Sequence, residues 1–156
     1  MEPVHVTELN HAVLYVRDVP TAVEFYRDVL GFQVVDEMPG RAAFLRAGGS
    51  DNHHDLGLIG VGGGAPRPPH GATGLYHLAW RVGSIHELAR AREVLAEAGA
   101  LRGQSDHGVS KSLYGADPDG NEFELMYLLP EDEWGDYATR AVVQPLDLDR
   151  EVDQRS

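Results

Sequence analysis

His11 and His77 occupy matching places in two similar stretches, "NHAVLYVRD" (10–18) and "YHLAWRVGS" (76–84), each a histidine leading an alternating apolar strand. Alternation along a strand puts His11 on a face with Val13 and Tyr15, and His77 with Ala79 and Arg81. In "FELMYLL" it groups Glu124 with Met126 and Leu128. A carboxylate among apolar neighbours is costly unless it is paired or holds a cation. Two histidines and one carboxylate are the donors of the facial triad that binds non-haem Fe(II) and leaves positions open for substrate and dioxygen. The plainer reading is also available: histidines hydrogen-bonded within a core, and Glu124 paired with Arg81. The residues alone leave both open. A second pair, His53 and His54, stands before the apolar run of "DNHHDLGLIG". Loop residues, metal ligands and a proton-transfer group all fit that position. Alternation turns the two rings opposite ways, so that if one faces a site the other points away from it.

These residues need elements to place them. After each histidine strand comes a helical stretch. The first has Pro20 near its start and the stripe Ala22, Tyr26, Val29, Leu30, with Gly31 ending it. The second opens with the S-x-x-E capping box Ser84–Glu87 and carries Leu88, Ala91, Leu95 and Ala98 before Gly99. Three short strands follow each helix: "FQVVDEM", "RAAFLR", "DLGLIG", then "LRGQSD", "KSLYGA", "EFELMYLL", with the turn "DPDG" before the last. The expected fold class is α+β, with two βαβββ modules over residues 8–62 and 74–130. A Gly/Pro linker at 63–73 separates them. Neither half has a comfortable core alone, so the sheets are expected to join into one curved mixed sheet with helices outside. The acidic stretch 131–156 is expected to pack on the exterior and then fray.

Composition narrows the functions. With no cysteine, disulfides, thiolate zinc sites and cysteine nucleophiles are excluded, and a cytoplasmic location is the default expectation. The formal net charge of -12 repels phosphate backbones and anionic lipid, so neither nucleic acid nor membrane is an expected partner. No apolar run is long enough to cross a bilayer, and "MEPVHVTELN" shows no signal-peptide pattern.

The stretches "LNHAVLYVRDVPTAVEFYRDVLGF", "HHDLGL", "GLYHLAWRV", "DHGVSKSLYGADPDGNEFEL" and "PLDLD" resemble the vicinal-oxygen-chelate (glyoxalase/bleomycin resistance/extradiol dioxygenase) superfamily. Within it they are most similar to the catechol 2,3-type extradiol dioxygenases. The resemblance implies that the sheet surrounds a metal cleft, with Fe(II), or Mn(II), held by His11, His77 and Glu124. It implies a catalytic acid/base at His54, a substrate-contacting Tyr114 and a further active-site His107. The spacing from His107 to Tyr114 is shorter here than in the large two-domain enzymes. The implied reaction is ring cleavage of a small aromatic, catechol-type substrate by O2, with Tyr15, Phe44 and Leu58 as pocket-lining positions and a homodimer as a possible assembly. The same superfamily offers two alternatives: a metal-dependent isomerase or lyase of the glyoxalase I type, and a non-enzymatic antibiotic-binding resistance protein. The isomerases commonly take a fourth ligand, usually glutamate, from the strand where this chain has His54 and Asp55. His5, His70 and His86 read as solvated.

Overall fold

The computed structural model describes residues 2–155. They fall into two compact units that part between Pro66 and Arg67, inside the Gly/Pro linker.

The first unit runs β1 (Ala12–Val16), α1 (Val19–Asp28), β2 (Gln33–Met38), β3 (Ala42–Arg46) and β4 (Leu56–Gly60). Its sheet order is β1-β4-β3-β2, with β1 and β4 parallel and the other pairs antiparallel. Asp18 caps α1 by accepting from the Thr21 amide at 2.9 Å, and Pro20 lies in the first turn, where a missing N–H costs nothing. The helix buries Val19, Ala22, Val23 and Tyr26 against Leu14, Val16, Leu45, Leu56 and Leu58, all within the core. Leu58 pairs with Leu14 and is wholly buried, so it is a core residue rather than a pocket-lining one. A one-residue displacement along a strand moves a side chain to the other face, and it is Gly57 that lies beside Val13 and Phe44.

The second unit repeats the plan: β5 (Leu78–Arg81), α2 (Ile85–Glu97), β6 (Leu101–Asp106), β7 (Ser110–Ala116) and β8 (Glu122–Leu128). The sheet order is β5-β8-β7-β6, again with one parallel pair, β5 with β8. Ser84 caps α2, its hydroxyl accepting from the Glu87 amide at 3.1 Å. Ile85, Leu88 and Leu95 of the helix and Leu113, Phe123 and Leu125 of the strands make the core. The fold is therefore α+β, with two βαβββ modules and a mixed four-stranded sheet in each. No described helix is long and apolar enough to cross a membrane.

The C-terminal stretch differs from the fraying tail read from the sequence. A third helix, α3 (Leu148–Gln154), packs on α2, with Leu146 and Leu148 buried. Lys111, itself nearly buried, reaches Asp106 at 2.6 Å and Glu151 of α3 at 3.7 Å. Apolar burial at two positions and a shielded ion pair hold the stretch to the second unit.

The "DPDG" turn sets where β8 begins. Asp117 is buried and its carboxylate accepts from the amides of Asp119 at 2.9 Å and Asn121 at 2.8 Å, and from the Asn121 side chain at 2.9 Å. Gly120 takes φ +86, the left-handed conformation that other residues resist. Asp117→Ala removes these acceptors and leaves donors unsatisfied, a loss of about 3 kcal/mol in unfolding free energy. Urea denaturation should show a lower midpoint with an unchanged m value.

Candidate active site

In the second unit, alternation along β8 turns Phe123 and Leu125 into the core and leaves Glu122 and Glu124 on the opposite face. Parallel pairing with β5 puts Phe123 beside Leu78 and Glu124 beside Ala79. His77 immediately precedes β5, and its Nε2 lies 3.0 Å from Glu124 Oε2. Glu124 thus takes His77 as its partner, not Arg81. The His77 Nδ1 is buried without a hydrogen-bond partner, with Glu122 Oε1 at 4.0 Å.

Tyr114 sits on β7 directly across from Glu124, its ring centroid 5.9 Å from that of His77. The tyrosine hydroxyl lies 2.7 Å from His107 Nε2 and 3.0 Å from Ser105 Oγ, and that serine oxygen lies 2.8 Å from the same nitrogen. The hairpin between β6 and β7 makes this triangle. His107 accommodates a tight turn in which Gly108 takes φ +78, and a Cβ at Gly108 would fall 2.5 Å from Tyr137 Cγ. Burial raises the Tyr114 pKa above the ordinary 10.0, the hydrogen bond with Ser105 opposes the rise, and the charges of Glu124, Tyr76 and Glu122 add to it.

In the first unit, His11 immediately precedes β1 as His77 precedes β5. Its Nδ1–H donates to Asn10 Oδ1 at 2.8 Å, so in the neutral ring Nε2 carries the lone pair. The His54 ring packs 4.7 Å from His11, 5.3 Å from Phe44 and 5.2 Å from His53, centroid to centroid. His53 does not point away: its Nδ1 is 3.0 Å from His54 Nδ1, one donating to the other. Residues 51–54 form a bend rather than a strand, so alternation does not govern them. Asn52 organises the bend, donating from Nδ2 to the carbonyls of Asn10 at 2.7 Å and His54 at 2.9 Å. Asp55 is occupied by its own loop, accepting from the Ala47 amide at 2.8 Å and the Ser50 hydroxyl at 2.9 Å. His5, His70 and His86 are exposed.

The second unit therefore gathers His77, Glu124, Tyr114 and His107, and the first gathers His11 and His54. Among the described residues no three of His, Asp and Glu cluster closely enough to hold an ion. His77 and Glu124 form a pair of donors that fits part of such a site. A spacing of 3.0 Å suits a hydrogen bond, and it equally suits two neighbouring ligands each about 2.1 Å from one cation. Sequence reasoning missed Ser105 and Glu122, although each stands two residues from a recognised site residue and so shares its face. It also missed Asn52 and the backbone partner of His107, for which there was no comparable signal.

The sequence profile of the Glyoxalase/Bleomycin resistance protein/Dioxygenase superfamily matches residues 8–125. The chain is 38% identical over 119 residues to biphenyl-2,3-diol 1,2-dioxygenase 3 of Rhodococcus globerulus, covering 75% of this chain and 61% of that protein. It is 33% identical over 129 residues to catechol-2,3-dioxygenase of Bacillus subtilis (strain 168), covering 82% and 44% respectively. The chain thus spans about half the length of these relatives. An iron-dependent extradiol dioxygenase and a manganese-dependent 2,3-dihydroxybiphenyl 1,2-dioxygenase are both among its relatives. The crystal structure of a glyoxalase/dioxygenase from Nostoc punctiforme superposes with a TM-score of 0.67 at 23% identity, covering 83% of this chain and 99% of that one. That likeness speaks to the fold.

In the metal-free protein Tyr114 should ionise above 10.0. Ser105→Ala should push the midpoint higher, because the serine hydrogen bond favours the phenolate. Ultraviolet difference titration against Tyr114→Phe reads both, and a Tyr114 midpoint at or below the ordinary value contradicts the expectation.

Proposed function

Because the chain belongs to the Glyoxalase/Bleomycin resistance protein/Dioxygenase superfamily, we propose that it is an extradiol ring-cleaving dioxygenase acting on a catechol-type aromatic substrate with O2. The observation that carries the reading is the set of proton-handling groups beside the His77–Glu124 pair: Tyr114, His107 and Ser105 within hydrogen-bonding distance of one another. A sequestering protein has no use for such a relay, whereas chemistry on a diol must move hydroxyl protons.

His11, His77 and Glu124 are the proposed ligands of Fe(II), with Mn(II) able to use the same donors. An ion held there would supply the Lewis acidity that draws diol and dioxygen together. The chain's own residues do the rest. Tyr114 orients a substrate hydroxyl through its phenol oxygen, and His107 holds the phenol. His54, in ring contact with His11 and Phe44, is the proposed acid/base, its Nδ1 steadied by His53 and its Nε2 available to move a proton. The isomerase reading needs a carboxylate ligand from this part of the first unit, and Asp55 is spent on the Ala47 amide and the Ser50 hydroxyl.

Anaerobic reconstitution with Fe(II), followed by a catechol panel with oxygen uptake recorded, tests the proposal. One iron per chain and uptake on at least one catechol are expected. Absence of stoichiometric iron binding removes the metal site, and iron without uptake on any catechol removes the dioxygenase reading. His54→Ala should keep the metal while turnover falls by about 10²–10⁴-fold; loss of the metal would make His54 a ligand instead.

A further inference from the structure

The stretch between the last strand and α3 runs back along the open edge of β6. Gln144 and Asp106 exchange both backbone hydrogen bonds, 2.9 Å from the Asp106 amide and 2.8 Å from the Gln144 amide. Gln104 Nε2 donates to the Leu146 carbonyl at 2.8 Å, and Leu146 and Leu148 are buried just beyond. This pairing brings the carbonyl of Val142 to 3.0 Å from His107 Nδ1.

We propose that residues 140–146 act as a strap whose Val142 carbonyl fixes the tautomer of His107 and thereby makes Tyr114 a hydrogen-bond acceptor toward substrate. A carbonyl oxygen has only lone pairs, so the ring nitrogen facing it carries the proton. The neutral ring has one N–H, and Nε2 is left as the acceptor. Two hydroxyls, Tyr114 and Ser105, face that lone pair at 2.7 and 2.8 Å. The phenol, the stronger acid, donates its proton to Nε2, and Ser105 donates to the phenol oxygen at 3.0 Å. With its proton turned inward, Tyr114 keeps an oxygen lone pair for a neutral substrate hydroxyl. The opposite tautomer would place a proton on Nε2, to be accepted by the phenol or by Ser105, and the phenol's own proton would no longer be held by that nitrogen. Val142 is in this sense a positioning residue acting through its backbone. The consequence for substrate rests on the dioxygenase reading, whereas the tautomer does not.

Long-range proton–nitrogen correlation on metal-free protein labelled with nitrogen-15 histidine reads the tautomer, the His107 signals being identified by their loss in His107→Gln. The wild type should show His107 as the Nδ1–H form. Gln144→Pro removes the amide that binds Asp106 and should return His107 toward a mixture of tautomers, with kcat down on the order of tenfold. His107→Gln, whose amide oxygen can stand where Nε2 stood, should retain more turnover than His107→Asn, which keeps only the Val142 contact. An Nε2–H ring in the wild type overturns the strap whether or not any variant folds. So does an unchanged tautomer in folded Gln144→Pro. Wild-type protein with the Nδ1–H ring and no oxygen uptake would overturn the dioxygenase reading and leave the strap standing.

Discussion

The second unit depends on one constraint, the two-residue period of β8. Phe123 and Leu125 must enter the core beneath α2, and that burial is what commits Glu122 and Glu124 to the other face. A slip of one residue would expose two large apolar side chains and bury two carboxylates, a loss in both hydrophobic and solvation energy. The hydrophobic core thus fixes the position of the polar site without touching it. The Asp117 turn anchors the period by fixing where β8 begins, and parallel pairing with β5 then brings His77 to Glu124.

The same plan in the first unit yields different chemistry. Leu14 and Val16 of β1 enter the core, while Val13 and Tyr15 lie on the other face with exposures of 52% and 73%. His11 takes the place that His77 takes, yet β4 carries Leu56 and Gly57 where β8 carries Phe123 and Glu124. No carboxylate from β4 meets His11. Its hydrogen-bond partner is the preceding Asn10, and its ring neighbour His54 comes from the bend before β4, which Asn52 ties to the carbonyls of Asn10 and His54. Equal topology with unequal residues separates a histidine–carboxylate pair in one unit from a histidine cluster in the other.

The fold was legible in the sequence because its signals are local: period-two strands, a capping box at Ser84, Pro20 at a helix start and glycines at turns. The boundaries of β6 match "LRGQSD" residue for residue. Legibility ended where regular periodicity ended. Leu58 sits in a run of apolar residues that offers no alternation to assign its face, and packing against Leu14 decided it. The direction of His53 is not legible because strand alternation does not extend into the bend that holds it. The strap was missed because "AVVQPLDLD" is acidic and holds a proline, features of an exposed tail; its attachment runs through backbone pairing and two leucines, which composition does not reveal.

Across both units the histidines follow a common arrangement, with one ring nitrogen spent on the scaffold. His11 gives Nδ1 to Asn10, His54 meets His53 through Nδ1, and His107 gives Nδ1 to the Val142 carbonyl. Anchoring one nitrogen fixes ring orientation and, against an amide or carbonyl oxygen, the tautomer as well. It leaves Nε2 for other partners. His77 departs from the pattern: its Nε2 faces Glu124, and its Nδ1 is buried with only the Glu122 carboxylate, at 4.0 Å, in prospect. A buried unpaired ring nitrogen is costly, and a cation drawing on Nε2 would make Nδ1–H a stronger donor toward that carboxylate. The departure therefore falls on the histidine that shares its Nε2 side with a carboxylate, which is where a shared ligand has most to offer.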